Sequence, residues 1–341
     1  MKRIYSFSSH SLLGFLLLAG GVPAARAVEG IAPFLDNWAL TIPGGGAGWL
    51  GITKQQGYYD ASLLWGGGSV LPVDSVFFTD NTLYVTRERE VQRKDSSDKV
   101  VRTQRFNDVL IARVEGDELK LTRLSPRPNG EGVEREEFTG KRMPTLPPAP
   151  DLTSVKFNEP IELFNGKDLT GWRTFGSGPS GWRSENGLLI NRAPQEPGQH
   201  KSYANIRTER EFEDFKLTCE VRVPRGGNSG IYLRGIYEVQ VEDSFGKAPE
   251  QHIMGAIYSR IAPSENPAKP AGEWQSYEIT LADRHVTVVL NGKTIIANQP
   301  LLGCTGGALW SDVLRPGPIY LQGDHTSVEY RNLVLRPVKK S

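Results

Sequence analysis

Beyond about residue 160 the chain alternates apolar and polar side chains over short runs, and this period of two restricts it to few architectures. In Phe215–Val223 the apolar positions are Phe215, Leu217, Cys219, Val221 and Val223, with Lys216, Thr218, Glu220 and Arg222 between them. Successive Cβ atoms of a strand point to opposite faces, so one face of this segment is buried and the other is wet. Comparable runs are Leu188–Ile190, Gly230–Leu233, Tyr237–Val241, Trp274–Leu281, His285–Leu290, Lys293–Ile296, Ile319–Gln322 and Val328–Leu335. Asn291-Gly292 stands between two of them, and a type I′ hairpin turn needs positive φ at both central residues, which this pair tolerates. Many short strands with no helical period predict an all-β chain whose C-terminal part, residues 160–338, is an antiparallel sandwich or jelly roll.

Met143–Pro160 is rich in proline, which removes backbone donors and favours extended geometry, so residues 143–159 are expected to link two units. Upstream, residues 28–142 form a smaller antiparallel β-domain, barrel or sandwich, with strands at Trp38–Ile42, Ser62–Trp65, Thr82–Arg87, Val109–Val114 and Glu118–Leu124. Gly132–Phe138 is compatible with a turn of helix, and Arg87–Asp98 with a solvated hairpin end. Gly44–Gly46 and Gly66–Gly68 are expected to be tight turns, since a phosphate loop needs a following helix and a Lys-Ser/Thr pair. Met1–Ala27 runs from Lys2 and Arg3 through an apolar stretch to Ala25-Arg26-Ala27. That pattern predicts a signal peptide cleaved after Ala27, hence a secreted or periplasmic protein with no transmembrane segment after cleavage. The apolar stretch is only about nine residues, short of the roughly 20 that cross a bilayer.

Forty basic against thirty-nine acidic residues leave no global field for nucleic acid or anionic lipid, so no nucleic-acid partner is expected. Cys219 and Cys304 are the two cysteines, and the sequence leaves a bridge between them open. No HExxH, CxxC pair, GxSxG or Walker pattern occurs, which removes zinc peptidase, dithiol redox, α/β-hydrolase and NTPase readings. What remains is a carbohydrate-like vocabulary of carboxylate, amide, Arg, His and aromatic groups. In Tyr237–Asp243 the acceptors Glu238, Gln240 and Glu242 share one face opposite Tyr237, Val239 and Val241. Gly226–Arg234 precedes this strand with small residues and an Arg able to bind oxygens bidentately; Asp243 and a long connection with His252, Tyr258, Lys269 and Trp274 follow it. A second cluster is Gly317–Asn332, where Tyr320, Gln322 and Asp324 alternate until Gly323 breaks the strand and His325 follows.

These segments, together with Leu163–Trp172, Trp182–Leu189, Gly255–Tyr258, Lys269-Pro270, Glu273-Trp274 and Asn291-Gly292, occur in an order that resembles the 3-keto-disaccharide hydrolase domain family, over Pro160–Pro337. The resemblance implies a concanavalin A-like jelly roll acting on an oxidised carbohydrate. A 3-keto group acidifies the C2 proton, so a base can remove it, the C1 substituent can leave by β-elimination, and hydration completes a net hydrolysis. His325 is then the candidate base or acid, with Glu238 the competing base. Arg234 would stabilise the enolate, or a divalent metal ion held by Glu238, Gln240 and His325 would do so, although a metal-bound His325 cannot also be the base. Asp243, Tyr258, Lys269 and Gln322 would bind hydroxyls, while Trp274 would stack on a sugar or fill the core.

Two other readings follow from the same residues. Sandwiches of this class also serve as non-catalytic, lectin-like modules. The N-terminal unit could instead target the chain to a polymer through Trp38, Trp49, Tyr58, Tyr59 and Trp65. Sugar identity, linkage, anomer and oligomeric state stay open.

Overall fold

A computed structural model describes residues 30–196 and 198–339. The expected signal peptide lies outside them. Among the described residues the helical content is one 3-10 turn, Ala32–Phe34, and no helix is long and apolar enough to cross a membrane. The all-β class holds.

The C-terminal half is built from two antiparallel sheets. In the larger, the order is Trp182–Glu185, Leu188–Asn191, Val328–Pro337, Phe215–Arg222, Gln275–Ala282, His285–Leu290 and Lys293–Pro300, with Ile161–Glu162 also pairing to Val328–Pro337. The smaller has the order Trp172–Phe175, Asn205–Thr208, Tyr320–Leu321, Asn228–Leu233 and Tyr237–Glu242. The predicted alternation is what joins them. Phe215, Leu217, Cys219 and Val221 of one sheet enter a common core with Ile231, Leu233, Tyr237, Val239 and Val241 of the other. Burial of such side chains stabilises by roughly 1.5–3 kcal/mol each, which makes this layer the main source of order. Asn291 and Gly292 take φ of 50° and 79°, the pair of positive values that the turn requires.

The N-terminal residues form one nine-stranded sheet, from Leu71–Pro72 at one edge to Ser75–Thr79 at the other, curled into a half-barrel about its own core of Trp38, Leu40, Leu50, Ile52, Leu83 and Leu119. Gly132–Phe138 holds no helix. Val133–Arg142 is a strand, because its backbone is claimed on both sides, by Asp36–Thr41 and by Glu118–Pro126. Thr82–Lys94 and Val100–Glu115 pair as a long hairpin whose exposed end falls within the charged segment expected there. Trp38 is fully buried and Trp49 nearly so, while Tyr58 is 60% exposed, so the five aromatic residues make no common platform.

Residues between the two units are pinned to the sandwich. Met143 joins its core, Arg284 Nη1 donates to Pro144 O and Asn298 Nδ2 to Pro150 O. The sheets also interlock directly, since Ala47, Trp49 and Leu64 extend the sandwich core and the Trp49 indole N–H donates to Leu302 O at 2.9 Å. Cys219 and Cys304 are free and buried, and burial pushes their thiols up to about 12 and about 11.

Candidate active site

The outer face of the smaller sheet is the floor of a cleft of about 460 Å³. Strand order dictates which side chains meet there. Phe175 and Asn205 come from the first two strands, Tyr320 and Gln322 from the third with Asp324 and His325 just beyond, Asn228 and Tyr232 from the fourth, and Glu238 and Gln240 from the last. The face inferred from alternation is thus real, with Glu238 and Gln240 each 3% exposed while Tyr237, Val239 and Val241 point into the core. Glu242 departs from it by pairing with Lys247 near the surface.

The edge of this sheet is closed by the long connection that follows it. Gln240 N donates to Ala256 O, Gly255 N to Gln240 O and Tyr258 N to Glu238 O, so the connection adds a ragged sixth neighbour and brings Tyr258 to the cleft. Such cover protects an edge that would otherwise expose unpaired peptide groups. Gly230 explains how a carboxylate fits beneath: a Cβ at that position would lie 2.2 Å from Glu238 Oε1. Across the hairpin, Tyr232 stands opposite Glu238 in register.

Glu238 is the most perturbed acid of the cleft. Desolvation pushes its carboxyl up to about 8, and the nearby Asp324 charge adds to this, while the hydrogen bond with Tyr232 opposes it. Tyr232 Oη lies 2.7 Å from Gly306 O and 2.9 Å from Glu238 Oε2, two acceptors for its one proton. Tyr320 stacks on Tyr232 with centroids 4.0 Å apart, and burial holds both phenols far above their ordinary value.

Around this acid stand acceptors without partners. Asn228 Oδ1, Gln240 Oε1, Gln322 Oε1 and Asp324 Oδ1 are buried and make no hydrogen bond. Unmet buried acceptors are rare in folded proteins and costly, and four in one cleft mark a place shaped for a hydroxyl-rich ligand. Other hollows lack this convergence; one of about 630 Å³ on the N-terminal sheet is lined by surface charges already paired, such as Lys120 with Glu118 and Arg135 with Glu137.

Seven of the residues singled out from sequence meet in the cleft: Glu238, Gln240, Tyr258, Tyr320, Gln322, Asp324 and His325. Four do not. Arg234 is 3% exposed and its guanidinium donates to Val313 O and Arg315 O, which ties a loop to the hairpin turn rather than facing a ligand. Asp243 accepts from Gly226 N at the base of that hairpin. Lys269 Nζ donates to Trp274 O, and Trp274 lies between the guanidinium groups of Arg222 and Arg331 at 4.7 and 4.1 Å, against the larger sheet. All four were chosen by nearness in sequence, which a hairpin does not convert into nearness to one face. Among the described residues, His200, Asp324 and His325 bring one ligand atom each to within 4.8 Å of one another at the His325 end of the cleft.

Residues that sequence reasoning passed over are Phe175, Asn205, Asn228, Tyr232, His200 and the glycines at 67, 68, 306 and 307. Tyr232 alone carried a signal, being opposite Glu238 once the hairpin register is drawn.

Known proteins resemble the C-terminal half of this chain. A curated 3-keto-disaccharide hydrolase of Bacteroides thetaiotaomicron is 28% identical over 35% of this chain and 51% of its own length, so the chain spans about half of that relative. Two solved structures from Parabacteroides distasonis assigned as glycosyl hydrolases are also similar. One is 31% identical, covering 52% of this chain and 83% of that one with a TM-score of 0.42; the other is 24% identical, covering 53% and 100% with a TM-score of 0.40. The profile of the 3-keto-alpha-glucoside-1,2-lyase-like domain matches residues 159–336, just over half of the chain and the whole floor of the cleft, and the chain therefore belongs to that domain family.

Proposed function

We propose that the cleft cleaves glycosides oxidised at C3 by elimination and hydration, with Glu238 as the proton donor and His325 as the base. The observation that carries this reading is the buried Glu238, its carboxyl pushed up to about 8 by desolvation and hydrogen-bonded to Tyr232, in a cleft of buried acceptors that make no hydrogen bond. The similarity to a relative named for 3-keto-disaccharide hydrolysis supports the substrate class.

Chemically, His325 takes the proton from C2, the C1–O bond breaks, and Glu238 gives its proton to the departing oxygen. The sugar becomes an enone with a C1–C2 double bond. Water then adds across that bond, hydroxyl to C1 and proton to C2, so the balance is one glycoside plus water giving a 3-keto sugar and an alcohol. A neutral carboxyl suits the first step because an ionised one has no proton to give. Gln240, Gln322 and Asn228 would hold the sugar hydroxyls, and Tyr258 would border the ring.

The test is turnover of a 3-keto aryl glycoside in deuterated water by the full chain. Leaving-group release with deuterium entering at C2 is the expected result. Release without C2 label would mean direct hydrolysis, and no consumption of any 3-keto glycoside would leave the lectin-like reading.

A second reading is favoured by the grouping of His200, Asp324 and His325, in which Asp324 Oδ1 lies 3.9 Å from His325 Nδ1 and makes no hydrogen bond. A divalent cation held by these residues would supply a Lewis acid for the 3-keto oxygen. His325 would then be a ligand, and Glu238 would carry the proton transfer alone. Calorimetric titration with Mn²⁺ separates the two: binding lost in His200→Ala and activity abolished by a chelator support the cation, whereas chelator-resistant turnover supports His325 as base.

A further inference from the structure

One wall of the cleft lies outside the residues that match the family. Gly67 and Gly68 line it from the N-terminal sheet, in the turn after strand Tyr59–Trp65, opposite Gly306 and Gly307 of the sandwich. Their contact is intimate. Gly307 N donates to Gly66 O at 3.1 Å, and a Cβ on Gly306 would lie 2.0 Å from Gly68 O. Beyond the glycines, Ser69 Oγ is 3.0 Å from His252 Nε2 and Val70 N donates to Ser259 Oγ at 2.8 Å. Trp49, under the guanidinium of Arg260 at 4.4 Å, anchors the same face. The loop is therefore held at its start and end by the sandwich, and its position does not depend on a ligand.

Its place relative to the acid is set by two short links. Gly306 O receives the Tyr232 hydroxyl, and Tyr232 is the partner of Glu238. Gly307 lies against the Tyr232 and Tyr320 hydroxyls, and Ser69 meets His252 and Tyr258 of the connection that covers strand Tyr237–Glu242, so the glycine turn stands on the Glu238 side of the cleft. Resting on the elimination reading, in which Glu238 protonates the departing oxygen, we propose that the Gly66–Ser69 loop is the wall of a leaving-group subsite that takes a neutral sugar ring or a small aryl group. Gly67 and Gly68 offer peptide groups and no side chains, and the space beside Gly67 is open, since an added Cβ there would meet nothing within 4 Å. The N-terminal sheet is then part of the binding site, and its function is to select what departs.

Gly67 is suited to a test, since its φ is not positive and an added Cβ would meet nothing within 4 Å. In the full chain, Gly67→Trp would fill the subsite without straining the turn. We expect KM for a 3-keto disaccharide to rise on the order of tenfold or more, with KM for the methyl 3-keto glycoside changed by less than about twofold. The same comparison made by calorimetry on Glu238→Gln protein, with and without Gly67→Trp, reads binding apart from turnover. Selective loss of disaccharide binding there would uphold the subsite even if the elimination chemistry failed. Equal effects on both ligands, no effect on either, or no binding of the disaccharide before the Gly67 change would overturn it. Unchanged thermal unfolding of Gly67→Trp is the check that the fold is intact.

Discussion

Glu238 couples chemistry to stability. In the unfolded chain its carboxyl ionises near the ordinary 4.5, but burial holds it protonated in the fold up to about pH 8. Between those values the folded chain binds the extra proton, so stability falls as pH rises through that window and levels off above about pH 8. Glu238→Gln keeps the shape and cannot ionise. Its melting temperature relative to the native protein is expected to improve steadily from pH 4 to pH 8, as calorimetry would show, while kcat for a 3-keto glycoside falls about 10²–10⁴-fold. In the native enzyme kcat/KM should decline above about pH 8, as the donor loses its proton; a rise instead would make Glu238 the base. Arg234 has the opposite character. Its bonds go to loop carbonyls, so Arg234→Ala should lower stability by about 1–3 kcal/mol in urea titrations and leave KM of the folded enzyme nearly unchanged.

Among the elements, the hairpin of Asn228–Leu233 and Tyr237–Glu242 decides the site, because pairing sets Tyr232 against Glu238 and Gly230 against Gln240. Gly230→Ala would place a methyl group against the Glu238 carboxylate and is expected to lower kcat while the sheet stays folded by circular dichroism. The Asn291-Gly292 turn is remote from the cleft and purely architectural. Replacing both residues with Ala should cost about 1–2 kcal/mol per residue, since each must hold positive φ, and a denaturation midpoint that did not move would refute the turn's importance. Both elements were legible from alternation and turn chemistry. Val133–Arg142 was not, because its run of charged residues has no period of two and becomes a strand only between two neighbours that supply its hydrogen bonds.

At the scale of the molecule, the two units share a core through Ala47, Trp49, Leu64 and Met143, and differential scanning calorimetry is expected to show one cooperative transition. Two separable transitions would mean that the contact is weak. The sequence by itself determined the all-β class, most strands of the sandwich but not Trp172–Phe175, Trp182–Glu185 or Asn205–Thr208, and the face carrying Glu238 and Gln240, since each follows from the alternation of side chains along a single strand. Nearness between strands needs their order, and no local pattern encodes it. Tertiary structure alone decided that Arg234, Asp243, Lys269 and Trp274 stand apart from the cleft, that His200 joins Asp324 and His325, and that glycines from the N-terminal sheet wall the site. Burial, the other property that only packing confers, is what raises the Glu238 carboxyl and gives it the proton that the proposed donor role requires.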